Sequence, residues 1–274
     1  MSRVIISGSA DGLGLQAAQE LIAGGHEVVL HARSEPRGRE ALGAAPGARG
    51  VVIGDLASIE ATRELARQAN QMGPYDAVIH NAGVGYRSPG RVETVDGLSQ
   101  LFAVNVLAPY LLTALIEPPG RLIYLSSGMH QMGNPGLEDL QWQGRPWDGP
   151  QAYADSKLLD VVLAFAVARH WPRVLSNAVE PGWVATKMGG PDAPGDLSQG
   201  AATQVWLATS QAPEATVSGR CFHHLRPQAT HPATADHCLQ DDLLRRCAEL
   251  SATFLPGAAA PARAVRPEPV LGEG

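Results

Sequence analysis

Lysine is almost absent from this chain: two residues stand against nineteen arginines in 274. Cysteine is scarce too. Cys221, Cys238 and Cys247 are an odd number, late and widely spaced, which points to free thiols in a reducing compartment and away from a disulfide framework. No basic run occurs and the formal net charge is −6, which excludes a protein that tracks nucleic-acid phosphates. The longest apolar stretch, 158–168, is broken by Asp160 and too short to span a bilayer. The N-terminus enters Arg3-Val4-Ile5-Ile6 without a basic leader, an apolar segment or a cleavage site. The expectation is a cytoplasmic protein with no membrane and no nucleic-acid partner.

One of the two lysines is Lys157, four residues after Tyr153 in an apolar run that reads as a helix. Positions i and i+4 share a helix face, so phenol and ammonium point the same way. A chain that otherwise writes positive charge as arginine keeps here the compact ammonium that can sit under a phenol and favour its ionised form. Five tyrosines and two lysines meet at this spacing by chance in about one chain in thirty, so the pair needs company.

Short β-rich runs at 4–7, 27–31, 51–53, 77–80, 122–125, 174–178 and 218–222 alternate with helical patterns. Those patterns cover about 13–22, 59–71, 95–116, 153–169 and 199–209. Near-continuous apolar strands of four to six residues suit a parallel sheet covered on both faces. The alternation predicts an α/β, doubly wound, Rossmann-type sheet of about seven strands in one domain over residues 1–255. An Ala/Pro-rich tail over 256–274 has no periodicity and is expected to be disordered.

The chemistry-bearing residues recur at the C-terminal ends of these strands. The first ends Ser7-Gly8-Ser9-Ala10-Asp11-Gly12-Leu13-Gly14, where glycines and a helix N-terminus suit a pyrophosphate. The second ends at Arg33, placed where a 2′-phosphate would lie, with Arg37 and Arg39 behind it. Asp55-Leu56 follow the third, Asn81-Ala82-Gly83 the fourth, Ser126-Ser127 the fifth and Pro181-Gly182 the sixth, while Asn105 interrupts an apolar helix. A buried Asn there either repairs a local kink or holds an ordered water.

Over residues 3–225 this set resembles the short-chain dehydrogenase/reductase family. The matching motifs are Gly8-x-x-x-Gly12-x-Gly14, Asp55-Leu56, Asn81-Ala82-Gly83, Asn105, Ser127, Tyr153-x-x-x-Lys157 and Pro181-Gly182. The insertion between Ser127 and Tyr153, with His130 and Gly133, looks most like the retinol-dehydrogenase-like branch. Two positions depart from the family pattern: Ser7 replaces a usual Thr, and Asp11 stands where enzymes of the phosphorylated cofactor often carry a basic residue. The resemblance implies hydride transfer between a nicotinamide and a carbonyl or alcohol carbon. Tyr153 would be the acid/base, Ser127 the donor to substrate oxygen, Lys157 the partner of phenol and ribose, and Asn105 the holder of a relay water. The implied cofactor set is Gly8, Ser9, Gly12, Leu13, Gly14, Arg33, Asp55, Leu56, Asn81, Ala82, Gly83, Tyr153, Lys157, Pro181, Gly182, Val184 and Thr186.

Arg33 favours NADP(H), with NAD(H) the alternative. The apolar loop 129–151, with Trp142 and Trp147, suggests a mostly apolar carbonyl substrate of medium size; both indoles packing on the protein's own core is the competing reading. Apolar surplus on helices 95–116 and 153–169 predicts a homodimer or homotetramer. The late histidines and cysteines fit no paired-ligand spacing, so no metal is expected. A non-catalytic nucleotide sensor of the same fold is the rival, and an epimerase or dehydratase a weaker one.

Overall fold

The computed structural model describes residues 1–257. Its sheet is built from β1 (Arg3–Ile6), β2 (Glu27–Ala32), β3 (Gly50–Ile53), β4 (Ala77–His80), β5 (Arg121–Leu125), β6 (Leu175–Glu180), β7 (Cys221–His223) and β8 (Arg226–Gln228). The order is β3-β2-β1-β4-β5-β6-β7-β8, parallel throughout until β8 turns back on β7. The order reverses between β1 and β4, which opens a crevice above their C-terminal ends.

Alternation along each strand divides the interior in two. Val4 and Ile6, Val28 and Leu30, and Ile123 and Leu125 face one core with α1 (Gly12–Ala23), α2 (Glu35–Ala44) and α7 (Leu197–Thr209). Ile5, Val29, Leu122 and Tyr124 face the other, with α3 (Ile59–Met72), α5 (Ala108–Leu115) and α6 (Gly149–His170). Both faces of the strands are therefore apolar, and the runs read as continuous rather than alternating in sequence.

Four expectations change. The sheet has eight strands, because His224 and Leu225 both take positive φ (46° and 64°) and make the tight turn that returns β8. Such a turn is ordinarily written with Asn and Gly, and neither is there to signal it. The helix expected from Val95 starts at Gln100: Val95 is exposed, and a short α4 (Gln100–Phe102) runs through a π-helical stretch (Ala103–Leu107) into α5. α6 begins four residues before Tyr153, where the Asp148 side chain caps the Gln151 N–H at 3.1 Å and Pro150 occupies the first turn.

The fourth concerns α8 (His237–Ser251), whose Leu243, Leu244, Cys247 and Ala248 join the buried cluster of α5 and α6. No residue of α6 from Gln151 to His170 is exposed in the single chain. Part of the apolar surplus on these helices is thus covered by the chain's own last helix. The tail expected over 256–274 lies, beyond Gly257, outside the described residues. Among the described residues no helix is long and apolar enough to cross a membrane.

Candidate active site

The crevice is a groove of about 550 Å³. Of the expected residues, Gly8, Gly12, Leu13, Arg33, Asp55, Leu56, Asn81, Ala82, Gly83, Tyr153, Lys157, Pro181 and Thr186 line it. Two glycines hold the end nearest β1 together by what they lack. Gly8 has φ +66°, and a Cβ there would meet Ala82 Cα at 2.8 Å. A Cβ on Gly14 would stand 2.4 Å from Asn81 Nδ2 and 2.6 Å from the Gly8 carbonyl, so only glycine lets α1 approach β4.

Polar side chains stitch this turn. Ser7 Oγ accepts from Asn81 N and Ala82 N, both at 3.0 Å, and Asn81 Nδ2 donates to the Ser7 and Gly8 carbonyls, both at 3.0 Å. The Asn81 amide is thereby committed to scaffolding. Ser9 is fully buried; its Oγ donates to the Ile6 carbonyl and accepts from His31 N, so its hydroxyl ties β1 to β2 rather than facing the groove. His31 was not singled out in the sequence. Its Nδ1 accepts from Gly8 N at 2.8 Å, which leaves Nε2 to donate to the Gly54 carbonyl at 2.8 Å. Burial holds this imidazole below its ordinary pKa, in the neutral form that the pair of bonds requires.

Charge collects at the exposed rim. Asp11 Oδ2 accepts from Arg37 at 2.6 Å and from Lys187 at 2.7 Å, and Arg37 also pairs with Glu40. Arg33 is exposed and makes no ion pair among the described residues. Asp55 Oδ1 accepts from Ala57 N at 3.0 Å, which shapes the turn after β3.

The other end is buried. Tyr153 and Lys157 lie one helical turn apart on α6, with the Lys157 nitrogen 5.9 Å from the Tyr153 ring centroid. Lys157 Nζ donates to the Leu125 carbonyl and to Asp160 Oδ2, each at 2.7 Å. Ser126 Oγ donates to the Lys157 carbonyl at 2.7 Å, locking α6 to the end of β5. Asn105 sits in the π-helical stretch, fully buried: Oδ1 accepts from Val84 N at 2.8 Å, and Nδ2 donates to the Val84 carbonyl at 3.1 Å and to Ser156 Oγ at 3.0 Å. Its side-chain amide thereby clamps the chain after β4 to the π-helical stretch and to α6.

Ser127, Gly182 and Val184 flank the groove without lining it. Ser127 is half-buried and its Oγ accepts from Met129 N at 3.3 Å. Gly182 has φ +86° and turns the chain after β6, and Val184 is buried. Met188 is a residue the sequence did not disclose: the Tyr153 hydroxyl donates to its sulfur at 3.7 Å. Of the two indoles, Trp142 is buried with Leu101, Ala152 and Tyr153, and Trp147 packs edge-on against it at 5.7 Å. The competing reading therefore holds for Trp142, which forms the wall behind Tyr153. Its φ of 54° is strained for so large a residue and is held by Arg145, 3.5 Å above the ring. Tyr86 stands on the open side, its ring centroid 5.4 Å from that of Tyr153.

The groove fits a dinucleotide on its own geometry. Gly83 lines the groove beside Lys157: a Cβ there would make ordinary contact with Nζ at 3.5 Å and with Asn105 Oδ1 at 3.4 Å. The turn after β1 lines the groove at Gly12, and Arg33 and Arg37 line it too, with Arg37 held to Asp11 of that same turn at 2.6 Å.

Comparison with known proteins agrees. The short chain dehydrogenase model matches residues 2–139. An uncharacterized oxidoreductase of Emericella nidulans is 42% identical over 261 residues, covering 94% of this chain and all of that one. Human retinol dehydrogenase 13 is 34% identical over 203 residues, covering 68% of this chain and 60% of its own. A crystal structure of an uncharacterized protein from Mycobacterium paratuberculosis superposes with a TM-score of 0.81 at 25% identity, over 93% of this chain and 95% of that one. A doubly wound sheet, a glycine turn under a groove, and a Tyr–Lys pair at its buried end make this chain a member of the short-chain dehydrogenase/reductase family, an NAD(P)-dependent oxidoreductase.

Proposed function

We propose that the protein transfers hydride between NADP(H) and an apolar ketone, aldehyde or secondary alcohol, with Tyr153 as acid/base. The observation that carries this is the placement of Tyr153 and Lys157 on one buried helix face at the wall of the groove. A bound nicotinamide supplies or accepts the hydride. The Tyr153 hydroxyl holds the proton that the substrate oxygen gains or loses, and Lys157 supplies the adjacent positive charge. Ser127 is assigned the hydrogen bond to that oxygen, which requires its Oγ to turn from Met129 N. Asn105 fixes the Val84 backbone beside the reacting end.

An apolar substrate is supported by the groups around the phenol: Met188 on its hydroxyl and Tyr86 against its ring. Human retinol dehydrogenase 13 is named for an apolar alcohol, in keeping with this assignment. NADP(H) rests on Arg33, which is exposed and makes no ion pair among the described residues. Cys221 and Cys247 are buried free thiols and Cys238 an exposed one, which fits a cytoplasmic setting. α8 covers part of the α5–α6 face; the expected pairing into a homodimer or homotetramer is tested by light scattering at micromolar concentration, where a monomeric mass would refute it.

The decisive experiment is Tyr153→Phe, assayed by NADPH absorbance with a panel of lipophilic and polar carbonyl compounds. The ring packing survives and the proton source does not. Turnover is expected to fall by about 10²-fold or more while NADPH binding persists. Near-normal turnover refutes the assignment, and activity confined to small polar or phosphorylated compounds refutes the substrate class.

A further inference from the structure

The hydride-and-proton reading gives Lys157 a role but leaves unexplained a carboxylate that touches it. Asp160 is one turn further along α6, and both side chains are about nineteen-twentieths buried, at 5% and 3% exposure. We propose that Asp160 is the positioning residue of the proton-transfer site: a buried counter-ion that keeps Lys157 an ammonium and leaves a single N–H to face the groove. An ammonium has three donors. One goes to the Leu125 carbonyl and one to Asp160 Oδ2, both at 2.7 Å, from directions set by β5 and by α6. With two of three tetrahedral bonds fixed, the third has one direction left. Gly83 and Lys157 both line the groove, and a Cβ built on Gly83 would lie 3.5 Å from Nζ, so the groove is the side left for that third bond.

The surroundings make the counter-ion necessary. Tyr124 on β5 is buried and burial raises its phenol, so it is neutral; Thr113 Oγ1 links it at 2.7 Å to His80 Nε2 at 3.1 Å. Burial lowers His80 to about 3, so this imidazole is neutral too. His130, packed against α6 from the turn after β5, is lowered by burial as well. Asp155, one turn N-terminal, is held by Arg145 at 2.8 Å. Cys247, on α8 behind the helix, is raised by burial and un-ionised. Asp160 is the one ion-pair partner of Lys157 among the described residues. Burial drives Lys157 toward the amine; the charge of Asp160, the neighbouring Tyr153 and the Asp160 hydrogen bond outweigh it and raise the ammonium above its ordinary value. Asp160 is itself raised by burial, to about 6, against the pull of Lys157. The pair is ionised above about pH 6.

The negative charge of Asp160 favours the proton-bound form of the Lys157 ammonium beside it. Removing it should move that titration to lower pH. The scarcity of lysine makes this measurable without turnover: protein labelled with ¹³C,¹⁵N-lysine has two side-chain signals, and exposed Lys187 is the internal reference. In Asp160→Asn, which keeps an oxygen acceptor and loses the charge, the Lys157 signal should titrate lower by about one pH unit or more while Lys187 is unmoved. The alkaline limb of the pH–rate profile should shift the same way, which a merely structural Asp160 would not cause. An unchanged Lys157 titration in folded Asp160→Asn overturns the proposal. Should that variant not fold, the wild-type protein decides: an ammonium at pH 7 whose signal responds as the Asp160 carboxylate titrates near pH 6 supports it, and an uncharged amine overturns it. This inference takes its functional meaning from the Tyr153 assignment, but the titration can be read in Tyr153→Phe as well, so failure of one is distinguishable from failure of the other.

Discussion

The two ends of the groove are built by opposite means. At the adenosine end, backbone and small residues make the surface, polar side chains are spent on stitching, and the charges (Asp11, Arg33, Arg37 and Lys187) stand in solvent or half in it. At the reacting end, the functional groups are side chains, and Asn105, Tyr153, Lys157 and Asp160 are all buried. Solvent screens exposed charges and lets them rearrange; a buried polar group that loses its partner bears the full desolvation cost. Substitutions at the first end should therefore change affinity and cofactor choice, and those at the second should change stability and turnover together.

Asn105→Ala should show the largest effect on the fold. It removes three hydrogen bonds, to Val84 N, the Val84 carbonyl and Ser156 Oγ, inside a π-helical stretch that has no other side chain to replace them. The expected loss is about 3 kcal/mol of unfolding free energy, read from urea denaturation. Ser156 keeps its bond to the Tyr153 carbonyl, which limits the damage on that side. If Asn105→Ala unfolds like wild type and only its affinity for NADPH changes, the contrast between the two ends is misdrawn.

What the sequence disclosed follows the same division. Continuous apolar strands, the glycine turn and the Tyr–Lys spacing are local patterns, and they were sufficient for the architecture and for about half of the residues that line the groove. The roles of individual polar residues were not legible, because they depend on what long-range pairing brings beside them. Ser9 and Asn81 have groove-like positions in the sequence and scaffold-like bonds in the fold. His31 carries no motif at all, yet bridges Gly8 and Gly54 from a strand end. Met188 meets Tyr153 across thirty-five positions. Asp160 looked only like an interruption in an apolar run. α8 reads as an amphipathic helix once its partner face on α6 is known.

Arg33→Ala should give the next largest effect, confined to binding. Arg33 is exposed and unpaired among the described residues, so its removal leaves nothing buried behind and the melting temperature should stay as in wild type. A charge-assisted contact to a 2′-phosphate is worth about 1.5–3 kcal/mol, which predicts a loss of about 10- to 100-fold in NADPH affinity with little change for NADH. Equal loss for both cofactors in titration calorimetry would move Arg33 from the 2′-phosphate to the shared part of the dinucleotide. A wild-type preference for NADH would mean that Asp11 dominates this rim.

Lys187→Ala should give the smallest effect and sharpen the comparison most. Lys187 is the second of two lysines, as Lys157 is the first, yet its side chain is 78% exposed where that of Lys157 is 5% exposed. Both hold a carboxylate at 2.7 Å. Equal distances in unequal surroundings should have unequal consequences: the exposed pair gains little, because water and salt compete for both partners. Removing Lys187 leaves the Asp11 charge beside the groove paired with Arg37 alone, where it opposes a bound phosphate more strongly, so NADPH affinity should fall by at most about threefold at low ionic strength. The difference should vanish as salt shortens the screening length to about 8 Å near 0.15 M. Thermal stability should be unchanged. A salt-independent loss of tenfold or more would place Lys187 in direct contact with the cofactor, and the exposed rim would then share the dependence on individual side chains that marks the buried end.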